Sequence, residues 1–299
     1  MEVIMEGKLL ELCRRENVLI NEPMKNHTTF GCGGAAKAVV FPENRQELVA
    51  LVKLLKDDMV ILGNGSNVLV CDEGLEKYAV ITLKVKEVKC EGDSIYADCG
   101  VSLAKLSSVA AENSLAGLEF ASGIPGTVAG GIFMNAGAYG GEIKDVISEV
   151  YAVDKDGNEK IFSKEELKLS YRHSVFCENG YIITGAKFNL EKGNKEVIYA
   201  TMKDLNQRRK DKQPLEYKSA GSTFKRPEGY FAGQLIEESG LKGYSVGDAQ
   251  VSEKHAGFVI NKGDAKASDV LAVIDHCKKT VAEKFGVNLE PEIKILSND

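Results

Sequence analysis

Tryptophan is missing from this 299-residue chain, and proline is scarce at six residues. No apolar run reaches the roughly 20 residues that a membrane-crossing helix requires, so insertion into a bilayer is not expected. Cations do not dominate, since 38 Lys and Arg face 44 Asp and Glu for a net charge of −6. A nucleic-acid partner requires a basic face. Here the cations are scattered apart from a short run from Arg208 to Lys212, and that class is set aside. The seven cysteines (Cys13, Cys32, Cys71, Cys90, Cys99, Cys177 and Cys277) are odd in number, far apart and without a C-x-x-C pair. Such a pattern builds neither a disulfide framework nor a zinc site, no metal is expected, and a reducing compartment suits it. The amino-terminal stretch to Val18 mixes acids, bases and leucines at helical spacing, with no uninterrupted apolar segment. No secretory signal is read there, and a cytoplasmic protein is expected. Two nucleotide signatures are also missing, G-x-G-x-x-G and G-x-x-x-x-G-K-[ST]. A nicotinamide-binding Rossmann site and a kinase-like phosphate loop are therefore unsupported.

What is present is an ordinary globular composition, 43% hydrophobic and 27% charged, over a length that suits two domains. Leu48, Leu51, Val52 and Leu55 form one stripe of a helix that feeds the apolar run Met59–Leu62, which reads as a strand. Short Val- and Ile-rich stretches between Tyr78 and Asp98 read as strands, and 102–113 as a helix. Strands are expected at 148–153 and 181–190, on either side of a Lys-Asp-Gly-Asn turn at 155–158. A charged helix is expected over 195–212 and ends before Pro214, where a domain boundary is placed. Helices at 230–239 and 268–285 and a closing strand at 292–296 complete the reading.

Five segments have residue types suited to chemistry. Gly63-Asn64-Gly65-Ser66-Asn67 follows a strand, and consecutive free amides in such a loop make a concave anion site, although Asn-Gly is equally a tight turn. Residues 122–141 hold seven of the thirty glycines. Within them Gly126 to Gly131 open a helix whose amino end favours negative charge, and a tightly packed buried helix is the alternative. Two glycine-rich loops together suit a dinucleotide. Ser222, in Ser219-Ala220-Gly221-Ser222-Thr223-Phe224-Lys225-Arg226, reads as proton donor, nucleophile or simple cap. Arg172, beside Tyr171 and Phe176, has the fork that an anion clamp uses, with a solvated surface arginine as the commoner alternative. Glu290 and Glu292 flank Pro291 before the last strand, where a buried carboxyl can hold a proton, although a charge on an edge strand is the more usual reading.

Taken in order, these segments resemble the UDP-N-acetylenolpyruvoylglucosamine reductase family. The resemblance runs over nearly the whole chain: Asn26 to Ala36 (NHTTFGCGGAA), Leu62 to Asn67 (LGNGSN), Gly123 to Gly130 (GIPGTVAG), Tyr171 to Phe176 (YRHSVF), Ala220 to Pro227 (AGSTFKRP) and Glu290 to Glu292 (EPE). It implies an α+β architecture with an FAD-binding domain of the vanillyl-alcohol-oxidase (PCMH) type, followed by a smaller C-terminal α+β substrate-binding domain. The expected division is 1–194, with a core from about 30, and 195–299, with a strand at 289–299 returning to the FAD region. The chain resembles the shorter branch of the family, without the insertion that brings a tyrosine over the substrate.

The resemblance further implies FAD held non-covalently and NADPH as co-substrate. The FAD would be bound by Gly63, Asn64, Gly65, Ser66, Asn67, Gly123, Ile124, Pro125, Gly126, Thr127, Gly130, Asn135 and Gly137. By position, Ser222 resembles the proton donor, and Arg172 and Glu292 the pair that stabilises an enolate. Lys212, Tyr171, Lys225 and Arg226 are expected to bind substrate, with Arg226 standing where many relatives carry Asn. The implied reaction reduces an enolpyruvyl ether on a UDP-sugar for peptidoglycan synthesis, and a monomer is expected. Another flavin oxidoreductase of the same fold, and a UDP-sugar-binding module without catalysis, are the competing readings.

Overall fold

Asn44 starts the helix Arg45–Leu55 by accepting a hydrogen bond from Glu47 N at 2.9 Å on its side-chain oxygen, which satisfies one of the amides that a helix start leaves open. The helix buries Leu48, Leu51, Val52 and Leu55, the stripe expected from the sequence. The strand Met59–Leu62 follows at once and pairs in parallel with Leu75–Ile81. In the computed structural model, which describes residues 2–298, the chain forms two compact units. The first comprises Met1–Ile20, Ala38–Asn64 and Lys77–Arg209, and the second Asn21–Lys37, Gly65–Glu76 and Lys210–Asp299.

A four-stranded sheet runs in the order Val18–Pro23, Ala35–Val40, Leu75–Ile81, Met59–Leu62. A second sheet, all antiparallel, runs Glu159–Ser163, Ile147–Val153, Ile182–Asn189, Ser94–Asp98, Val88–Glu91. In the first unit one core gathers Ile95, Leu103, Leu106, Ile132, Val150, Phe162 and Phe188 on this sheet and its helices. Another packs Leu9, Leu48, Leu51, Val80 and Cys99 together. Burying side chains of this size contributes roughly 1.5–3 kcal/mol each, so these two clusters provide most of the unit's cohesion. The strands on either side of the 155–158 turn differ from expectation in one respect. The turn closes a hairpin between Ile147–Val153 and Glu159–Ser163, and Ile182–Asn189 pairs on the other edge of Ile147–Val153.

The second unit packs the helix Ala267–Phe285 through Val270, Val273, Ile274, Cys277 and Val281 against Leu235, Ile236, Val251 and Val259. Its three-stranded sheet runs Ser245–Val246, Ala249–Val251, Val259–Asn261. The closing strand Lys294–Leu296 pairs in parallel with Val68–Val70. The helix expected over 195–212 is present as Lys195–Lys212. Among the described residues no helix is long and apolar enough to cross a membrane.

Candidate functional site

In the first unit the glycine-rich segment is fixed from several sides. Gly63, at the end of its strand, lies so close to Thr127 that a β-carbon would come 2.2 Å from the Thr127 hydroxyl oxygen, so only glycine fits. Asn64 donates from its side-chain amide to Pro125 O at 2.9 Å, joining the two glycine loops. Thr127 caps the helix Val128–Phe133 by accepting from Gly130 N at 3.3 Å. The remaining first amides of that helix are taken internally, with Val128 N donating to Val101 O at 2.8 Å, Ala129 N to Cys99 O at 3.0 Å and Gly131 N to Thr127 O at 2.8 Å. The helix start expected to hold an anion is present, but its amides are already spent inside the protein.

The open amides lie in the other loop. Among the described residues no hydrogen bond uses the N–H groups of Gly65, Ser66 or Asn67 as donors. Gly65 holds φ +61°, and a β-carbon there would meet His27 O at 2.3 Å. Consecutive open amides on a loop that admits no side chain at Gly65 suit a diphosphate. These residues, with Gly63 and Asn64, therefore fit the FAD expected from the sequence.

Asn135, φ +41°, spends its side chain on the protein. It donates to Glu142 Oε2 at 2.9 Å and to Ser170 O at 3.0 Å, and it accepts from Lys144 N at 3.0 Å. Its neighbour Gly137 pairs with Glu142 in a short hairpin whose turn residues Tyr139 and Gly140 both have positive φ, as the tightest hairpins need. The Lys144 hydrogen bond, aided by Asn135 and by the nearby charge of Arg172, holds Glu142 below the usual carboxylate range.

Ser170 and His173 exchange backbone hydrogen bonds of 3.1 and 3.2 Å across Tyr171 and Arg172. Arg172 sits at φ +54°, with its guanidinium 5.0 Å from the centre of the Tyr171 ring. Asn135 grips this turn through Ser170 O, and Ser174 Oγ anchors its far side on Phe133 O at 2.9 Å. The helix Lys195–Lys212 adds two residues that the sequence reading passed over. Asn206 donates to Ser122 Oγ at 3.3 Å, and Arg209 donates from one guanidinium nitrogen to Gly123 O. Burial lowers the Arg209 pKa, with Tyr139 opposing the shift, and its buried Nε finds no hydrogen-bond partner among the described residues.

In the second unit Ser222 follows Gly221, φ +76°, and precedes Thr223, which is 1% exposed. The Thr223 carbonyl accepts from Glu292 N at 2.8 Å, and Lys225 N donates to Glu290 O at 2.8 Å, on either side of a bridge between Phe224 and Pro291. The Ser222 and Glu292 segments, far apart in sequence, thus run side by side. Asn67 donates to Glu292 O at 3.3 Å. Of the expected substrate-binding residues, Lys225 pairs with Glu290 at 3.0 Å, and Arg226 stacks 4.0 Å over the Phe231 ring. Lys212 is the last residue of its helix. The residues expected from the sequence thus divide between the units: Gly63, Asn64, the 123–137 set, Tyr171 and Arg172 in the first, and Gly65 to Asn67, Lys212, Ser222, Lys225, Arg226 and Glu292 in the second.

Residues 36–163 match the family model of the FAD binding domain. The fold is shared with p-cresol methylhydroxylase (TM-score 0.57, 12% identity, 98% of this chain and 89% of that one). The chain is an FAD-binding protein. Residues 213–296 match the model described as the C-terminal domain of UDP-N-acetylenolpyruvoylglucosamine reductase. A protein of that name from Caldanaerobacter subterraneus subsp. tengcongensis is 50% identical over 299 residues, 99% of each chain. The crystal structure of UDP-N-acetylenolpyruvylglucosamine reductase from Thermus caldophilus matches with a TM-score of 0.81 at 36% identity, covering 92% of this chain and 98% of that one. The chain belongs to the UDP-N-acetylenolpyruvoylglucosamine reductase family.

Proposed function

We propose that this protein carries out the NADPH-driven, FAD-dependent reduction of UDP-N-acetylglucosamine enolpyruvate to UDP-N-acetylmuramate, a step that supplies peptidoglycan precursors. Near-full-length identity to reductases of that name carries the reading. The side-by-side run of the Ser222 and Glu292 segments supports the residue roles. When bound, FAD supplies the hydride that C3 of the enolpyruvyl group receives and that NADPH replenishes.

The protein's own part is to stabilise charge and to deliver a proton. Negative charge grows on the substrate carboxylate as C3 is reduced, and Arg172 opposes it with a guanidinium held in a braced turn. Glu292, in its acid form, hydrogen-bonds the same enolate. Ser222 gives its hydroxyl proton to C2. Groups of this kind each contribute about a hundredfold or more in rate. Lys212, Tyr171, Lys225 and Arg226 are assigned to the substrate's anionic portion. Gly63 to Asn67, Gly123 to Thr127, Gly130, Asn135 and Gly137 are assigned to the cofactor, Asn135 through its backbone and its bracing of the Arg172 turn. We assign residues 1–194 to FAD binding and 195–299 to substrate binding, and we place the enzyme in the cytoplasm as a monomer. Seven free cysteines suit that compartment, and size-exclusion chromatography checks the monomer.

The test is direct. Purified protein should be yellow, absorbing at about 450 nm as an oxidised flavin does. It should bleach with NADPH and regain colour on addition of the enolpyruvyl UDP-sugar. Colour that returns at the same rate without that substrate would refute the assignment, and a colourless protein that cannot be reconstituted with FAD would remove the cofactor.

A further inference from the structure

Ser222 has glycine on one side, with open space around the position a β-carbon of Gly221 would take, so no side chain at that position packs to fix its place. On the other side stands Thr223, 1% exposed and held by three bonds. Its N–H donates to Gly257 O at 2.8 Å and its carbonyl accepts from Glu292 N at 2.8 Å. Its hydroxyl oxygen accepts from Val259 N at 2.9 Å. Gly257 itself is pinned by donating to His255 Nδ1 at 3.1 Å. Two of the three bonds join backbone to backbone, and only the third depends on the side chain. Glu292 is gripped again from its carbonyl side by Asn67 at 3.3 Å.

From this arrangement we infer that Thr223 is a positioning residue: its buried hydroxyl sets the register in which the Ser222 and Glu292 backbones are presented together. The inference rests on the roles proposed above for those two residues. A buried amide stripped of its acceptor either shifts to find another or stays unsatisfied, and here the shift would pass through Thr223 to Ser222 and Glu292 at once. Misplacement of a reacting group by about 1 Å is worth on the order of a hundredfold in rate.

Thr223→Val keeps the shape and removes the acceptor, and Thr223→Ser keeps the acceptor. In stopped-flow experiments the Val variant should take electrons from NADPH within about twofold of the wild-type rate. Its re-oxidation by the enolpyruvyl UDP-sugar should slow by roughly ten- to a hundredfold, and the Ser variant should restore it. Amide hydrogen exchange of the protein without substrate should quicken at Val259 and Glu292 in the Val variant alone. Re-oxidation that is unchanged in the Val variant, or slowed as much by Ser as by Val, would overturn the inference. If the wild type is not re-oxidised by that substrate, the functional reading fails. Hydrogen exchange then decides the positioning role by itself, faster exchange at Glu292 in Val than in Ser supporting it and equal exchange overturning it.

Discussion

Arg172 keeps a left-handed backbone, φ +54°, that costs a non-glycine residue about 1–3 kcal/mol. The surroundings enforce it through the Ser170–His173 bonds, the Asn135 grip on Ser170 and the Ser174 anchor on Phe133. Strain sustained at such expense fits a side chain whose direction matters more than its comfort. Replacing Arg172 with Lys retains the charge and discards the fork. Stopped-flow measurement on Arg172→Lys should show re-oxidation by substrate slowed about a hundredfold, with bleaching by NADPH unaffected. If bleaching slows equally, Arg172 serves the fold and not the enolate. Glu292→Gln keeps a hydrogen-bond donor while removing the acid. It should therefore lose less rate than Glu292→Ala, which a comparison of the two re-oxidation rates checks.

Among the elements, a loop proposed to hold the cofactor and a turn outside it depend on glycine for different reasons. Gly65 and Gly240 both have positive φ, +61° and +77°, but a β-carbon at Gly65 strikes His27 O at 2.3 Å whereas one at Gly240 meets nothing within 4 Å. Gly240→Ala should lower stability by about 1 kcal/mol and leave the protein yellow. Gly65→Ala should purify with little flavin, as the absorbance ratio at 450 and 280 nm will show. Much at this level was legible in the sequence: the stripe Leu48, Leu51, Val52, Leu55 and the helix Lys195–Lys212 are where periodicity and Pro214 place them. The strand Glu159–Ser163 was not, because only Phe162 of its five residues is buried and such a strand leaves no apolar trace. Arg209 was hidden for a related reason. It stands in a cationic run that reads as a solvated face, yet it turns inward to Gly123 O. Nor can spacing reveal that the amides opening the helix Val128–Phe133 are consumed by Val101 and Cys99 carbonyls, since those acceptors come from elsewhere in the chain.

Across the whole molecule, burial governs the thiols. It raises the pKa of Cys13 to about 11 and those of Cys32, Cys99 and Cys277 to about 12, against an ordinary value of 9.0. An unfolded chain releases those protons near pH 9 while the folded one holds them, so between pH 9 and about 12 the unfolded state binds fewer protons and stability falls as pH rises. The urea midpoint should therefore drop between pH 8 and pH 10, and these four thiols should resist alkylation at pH 8 in the native protein. The reaction itself also belongs to this scale, because Arg172 lies in one unit and Ser222 and Glu292 in the other, and the proposed chemistry needs all three on one substrate. Stopped-flow spectroscopy of Ser222→Ala, with NADPH and the enolpyruvyl UDP-sugar added in turn, tests this most directly. The account predicts bleaching at close to the wild-type rate, followed by return of colour slowed roughly a hundredfold or more. Return of colour at the wild-type rate, with normal product, would contradict it.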